Sequence, residues 1–130
     1  MSRTEVVPKS RYAVYLGRAE EFEAQMVLAA AHRAWNSVGL LGVHCVISGC
    51  DALTVRLAGQ RWSGQDHAGV YGVLSSLNLP GDSVALRHVS NVLERKNRIE
   101  FESTAFSKEE AIAVSQPASR FLTWVRSRIQ

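Results

Sequence analysis

Cysteine is scarce in this chain, which holds only Cys45 and Cys50. On a helix their spacing sets them on different faces, about 140° apart, so a disulfide between them is not expected. No cysteine or histidine spacing follows a metal-ligand pattern, and no cofactor is implied. Both cysteines read as small buried hydrophobes. Histidine is absent after His88. No run approaches the ~18 apolar residues of a membrane span. Met1 to Lys9 lacks the apolar centre of a signal peptide. A soluble, reducing, cytoplasmic setting with no membrane partner is the expectation. There is no convincing period-two strand, no internal repeat and no low-complexity tract. Charge of one sign is also lacking: the formal net charge is +3 and the sequence pI about 9.2. That balance allows a nucleic-acid partner without requiring one.

What is present is helical periodicity. Residues 1–9 read as a flexible lead ending at Pro8 and a capping Ser10. Tyr12, Tyr15, Ala19, Phe22, Met26, Ala29 and Arg33 then step by three and four, predicting an amphipathic helix to about Trp35. Asn36, Ser37 and Gly39 mark a turn. Residues 40–58 are apolar almost all round and predict a central helix, kept thin by Gly42, Ser48, Gly49 and Ala52 and ended by Gly59. Gln60 to Gly64 reads as loop. Ser63 or Asp66 caps a short helix through about Leu77, and Asn78-Leu79-Pro80-Gly81 is turn chemistry. Asp82 or Ser83 caps a further helix with Leu86, Val89, Val92 and Leu93 inward, ending near Arg98. Ser107 and Glu110 form a capping box for the last helix. Pro117 is expected to kink that helix or split it near Gln116. The fold expected over residues 10–130 is all-α: an antiparallel four-helix bundle with an extra short helix.

Polar residues gather between the last two long helices, at Glu94-Arg95-Lys96-Asn97-Arg98-Ile99-Glu100-Phe101-Glu102. Arg95, Lys96, Asn97 and Arg98 could bind phosphate, or could complement a helix C-terminus. Glu100 and Glu102 could act as acid and base, or form an ion-pair network on the hinge. His44, Ser48 and Asp51 share one stripe of the apolar second helix. Buried polar groups need partners, so Asp51 is expected to be buried and hydrogen-bonded, with His67 or Arg98 as candidate partners. A Ser-His-Asp hydrolase is not expected, because no nucleophile elbow exists. Trp35, Trp62 and Trp124 could stack bases, but packing or a dimer interface is the plainer role.

Several of these segments together resemble the HEPN domains (higher eukaryotes and prokaryotes nucleotide-binding). They are Tyr15 to Phe22, Val43 to Leu53, Gly59-Gln60-Arg61, Gly64 to His67, Lys96 to Glu102, and Phe106 to Ala111. The resemblance implies a bundle of antiparallel helices that often dimerises. Many members are ribonucleases, toxins or partners of nucleotidyltransferases. Their active form uses Arg, often with a following polar residue such as Asn, then His after four to six positions. Counting from Arg95, those positions hold Glu100, Phe101 and Glu102; from Arg98 they hold Ser103, Thr104 and Ala105. A literal Arg-x5-His runs from Arg61 to His67, in a loop where the family motif does not belong. The place of an AMP-accepting Tyr in some members holds Phe101. The resemblance thus implies a homodimeric module associated with RNA or nucleotides, without the standard ribonuclease activity and with no assigned catalytic residue. A neighbouring nucleotidyltransferase or antitoxin is the implied partner, in a toxin–antitoxin or defence system. Arg95, Lys96, Asn97, Arg98, Glu102, Asp51 and His67 are the ligand-binding candidates. The alternatives are a divergent, metal-independent endoribonuclease using Arg95, Lys96 and Asn97 with Glu102 or His67, and a structural interaction domain.

Overall fold

The computed structural model describes residues 3–64 and 67–129, and only the backbone of residues 67, 68, 97, 100 and 101. Four longer helices form an all-α bundle: α1 (Tyr12–Ala31), α2 (Trp35–Ala58), α4 (Asp82–Leu93) and α6 (Lys108–Ile129). The short α3 (His67–Ser75) and α5 (Lys96–Phe101) sit at the connections. Tyr12 meets Arg56 and Phe22 meets His44, so α2 recedes as α1 advances. Gly81 at the head of α4 lies beside Trp124 and Arg128 near the end of α6. Consecutive long helices are therefore antiparallel, and α2 and α6, which pack on each other, run parallel.

That parallel pair is in close contact because α2 is thin. A Cβ on Gly42 would stand 2.4 Å from Val114 Cγ1, and one on Gly49 would stand 3.1 Å from Phe121. Both pairs keep the same sequence offset, which is how parallel helices register. Val43, Cys45, Val46, Leu53, Val114, Phe121, Leu122 and Val125 fill the core around this contact. By length and composition α2 could cross a membrane, but most of its apolar window is buried inside the bundle. Counting uninterrupted apolar residues understates this helix, because Asn36, Ser37, His44, Ser48 and Asp51 punctuate it. Cys45 and Cys50 are free and buried. Burial pushes the Cys45 thiol up to about 12, and Glu23 adds to the effect.

Several local expectations need correction. The reversal between α1 and α2 falls at 32–34, with Arg33 in the left-handed region at φ 59°, and Asn36, Ser37 and Gly39 are helical. Gly39 must be helical to press its bare backbone against Phe106 and Ile99. Residues 9–11 form a 3-10 turn ahead of α1, whose N-cap position is taken by Arg11 and not by Ser10. The fourth helix ends at Leu93, and residues 94–95 turn the chain into α5. Pro117 does not split α6, which runs unbroken from Lys108 to Ile129. The Asp66 cap lies outside the described residues. A small antiparallel sheet was not legible: β1 (Thr4–Val6) pairs with β2 (Gln60–Trp62), with Glu5 opposite Arg61. Three residues per strand are too few to show a period of two. Gly59 ends α2 as expected, in the left-handed conformation at φ 65°, and aims the chain into β2.

Candidate functional site

The structure divides the candidate residues between two ends of the bundle. Gly39 packs on Ile99 and Phe106 at one end, and Asp51 pairs with Arg61 at the other. About 18 Å of helix rise along α2 separates the two.

At the hinge end, Arg98 is the central group. Its Nε donates to Glu110 Oε2, and its Nη2 donates to Glu110 Oε1 at 2.8 Å. Its Nη1 donates to Glu102 at 3.0 Å and to the Thr104 hydroxyl, and the Phe106 ring lies 5.8 Å from the guanidinium carbon. Glu110 also completes the capping box. The Ser107 N–H donates to Glu110 Oε1 at 3.1 Å, and the Glu110 N–H donates to Ser107 Oγ at 3.1 Å. Arg98, and after it the Ser107 N–H, hold the Glu110 carboxyl down at about 2. The Phe106 N–H donates to Asn36 Oδ1 at 2.8 Å and ties the hinge to the first turn of α2. Arg95 donates to the Asn91 carbonyl and closes the end of α4. A shallow hollow beside the hinge is lined by Asn36, Ser37, Leu40 and Ile99. The side chains of Asn97, Glu100 and Phe101 lie outside the described residues.

At the strand end, Asp51 is buried among apolar neighbours in α2, and Arg61 of β2 reaches it at 3.2 Å. Of the two expected partners, Arg98 is committed to the hinge, and the His67 side chain lies outside the described residues. Arg61 also contacts Glu5 at 3.3 Å and lies 5.4 Å from the Tyr15 ring centre. Arg18 approaches the same ring at 5.3 Å. Burial raises the Asp51 carboxyl to about 6, and Arg61 only partly offsets this. His44, on the same stripe, faces the Phe22 ring at 5.9 Å. Trp35, Trp62 and Trp124 all pack against the core.

Of the seven candidates, Arg98 and Glu102 are brought together and Arg95 and Lys96 stand beside them. Asp51 belongs to a different site, and Arg61, Glu5, Tyr15 and Arg18 around it were missed. The one available signal was a cation two residues past the glycine that ends the Asp51 helix. Among the described residues, no group of three His, Cys, Asp or Glu side chains could hold a metal ion. No family model matches the chain, and no curated protein matches it.

Proposed function

We propose that this chain is a HEPN-like helical module that associates with RNA or nucleotides and lacks standard ribonuclease activity. The observation that carries this reading is the commitment of Arg98 to Glu110, Glu102 and Thr104. An arginine so engaged stabilises the α5–α6 hinge and has little capacity left for a developing phosphorane charge. Activating a ribose 2′-hydroxyl also needs a group that exchanges a proton near neutral pH. Glu110, held at about 2, is too weak a base. Asp51, at about 6, has a suitable affinity but is buried at the far end of α2. In this reading the module works in the cytoplasm as a homodimer, beside a nucleotidyltransferase or antitoxin.

The test is a purified chain with end-labelled single-stranded RNA, assayed for binding and cleavage together. The expected result is salt-sensitive binding with intact RNA, because each phosphate contact releases counterions. Efficient cleavage abolished by Asn97→Ala or His67→Ala would establish the divergent endoribonuclease in its place. Absence of binding at low salt would leave a structural interaction domain.

A further inference from the structure

The hinge segment and the strand end differ in charge balance. From Glu94 to Glu110 the cations Arg95, Lys96, Arg98 and Lys108 are outnumbered by Glu94, Glu100, Glu102, Glu109 and Glu110. The strand end carries Lys9, Arg11, Arg18, Arg56 and Arg61, and the carboxylates that form ion pairs there, among the described residues, are Glu5 and Asp51. Both of those carboxylates are spent on Arg61. Among the described residues, no carboxylate forms an ion pair with Lys9, Arg11, Arg18 or Arg56, and all four are exposed. Glu20 and Glu23, further along α1, face Arg126 instead.

The uncompensated cations are interleaved with aromatic rings. Tyr15 and Arg18 are i and i+3 neighbours on α1, and Arg11 stands just ahead of them at the end of the 3-10 turn. Arg56 lies 5.5 Å from the neighbouring Tyr12 ring. An open groove beside this face is lined by Glu5, Val6, Pro8, Arg11, Val14 and Tyr15. Val6 is 88% exposed and Val14 45% exposed, giving the groove an apolar wall. Arg61, itself held by Asp51, lies 5.4 Å from the Tyr15 ring, so the ring stands between Arg61 and Arg18 contacts. Guanidinium groups without carboxylate partners, next to rings and an apolar wall, form the type of surface that tracks a single-stranded nucleic-acid backbone.

We propose that single-stranded RNA binds at this strand end, with phosphates on Arg11, Arg18 and Arg56 and bases lying against Val6 and Val14. The site is remote from the α5–α6 hinge. This proposal rests on the RNA-association reading and names the surface that serves it. The experiment is a titration of the full chain with a labelled oligouridine over a series of NaCl concentrations. It compares wild type, Arg11→Gln/Arg18→Gln/Arg56→Gln, and Arg95→Gln/Lys96→Gln. None of the five positions hydrogen-bonds Asp51 or Arg61, although the Arg18 charge is felt at Asp51, and matching thermal melts establish that each variant is folded. The triple variant is expected to bind at least tenfold more weakly at low salt. Its slope of log K against log salt should be lower by about 2, at ~0.7 per phosphate contact on a single strand. The Arg95/Lys96 variant is expected to bind like wild type. Loss of binding in the Arg95/Lys96 variant with retention in the triple variant would overturn this inference and leave the RNA reading intact. No binding by wild type, or binding to phosphatidylserine vesicles in place of RNA, would overturn both.

Discussion

Glu110 and Asp51 are both carboxylates paired with an arginine, yet their environments move them in opposite directions. At the hinge, two guanidinium bonds and a backbone N–H hold Glu110 at about 2. In α2, burial lifts Asp51 to about 6 although Arg61 stands 3.2 Å away. The difference is solvent. Glu110 and Arg98 sit where water already supports their charges, so the pair adds to that support. Asp51 gave up its water on folding, and one partly exposed arginine does not replace it. One end of the bundle thus holds an ion pair that favours the folded chain, and the other holds a charge that costs stability at neutral pH. The costly one fixes Arg61, and through Arg61 the Tyr15 ring and the Glu5 strand.

The largest effect is expected from Arg61→Gln. It leaves the Asp51 carboxylate buried without its ionic partner, and breaking a buried pair in this way costs about 3–5 kcal/mol. Chemical denaturation at pH 8 should show that loss, and most of it should be recovered at pH 5, where Asp51 takes up a proton. An equal loss at both pH values would mean that Arg61 acts through packing alone. Next in size is the pH profile of the wild type. Asp51 holds its proton more tightly in the folded chain, at about 6, than at its ordinary 3.8. Folding therefore takes up a proton between those values, and stability should rise as pH falls from about 7 toward 4. The gain is on the order of 3 kcal/mol at 1.36 kcal/mol per unit. A profile that falls over this window would place the Asp51 carboxyl at or below its ordinary value.

Asp51→Asn separates charge from shape at the same place. The amide keeps an oxygen for Arg61 and removes the buried negative charge. The variant should be more stable than wild type at pH 8 by about 1–3 kcal/mol and should lose the rise between pH 7 and 4, since replacing a buried ion is often stabilising. Destabilisation at every pH would show that the ionic bond outweighs the burial.

The two ends also differ in how far the sequence discloses them. The capping box is local: Ser107 and Glu110 are three residues apart, and their reciprocal bonds follow from helix geometry. The burial of Asp51 is equally readable, because an aspartate in an all-round apolar helix has nowhere else to go. Its partner is not readable. Arg61 reaches Asp51 only because Gly59 turns the chain in the left-handed conformation and a three-residue strand pairs with Thr4–Val6. Neither strand is long enough to show a pattern. The α1–α2 reversal was misplaced for a related reason. Asn36, Ser37 and Gly39 are turn formers, but packing of Gly39 on Phe106 overrides that preference, and Arg33 takes the left-handed position without any local signal.

The smallest effect is expected from Glu110→Gln at the hinge. Glutamine is acceptable in a capping box, so its carbonyl can still accept from the Ser107 N–H. What is lost is the charge that faces Arg98 and the positive end of α6. Arg98 keeps Glu102 and Thr104, and water screens the remainder. Because Glu110 titrates at about 2 in the folded chain and near 4.5 ordinarily, its contribution is complete above pH 4.5 and disappears as pH falls through 2. Thermal melts at neutral pH should therefore show a small loss for Glu110→Gln, reduced by added salt, and the two proteins should converge near pH 2. The sign with pH is opposite to that of Asp51. A loss as large as that of Arg61→Gln would reverse the ranking of the two ends and make the hinge pair the dominant electrostatic element of the bundle.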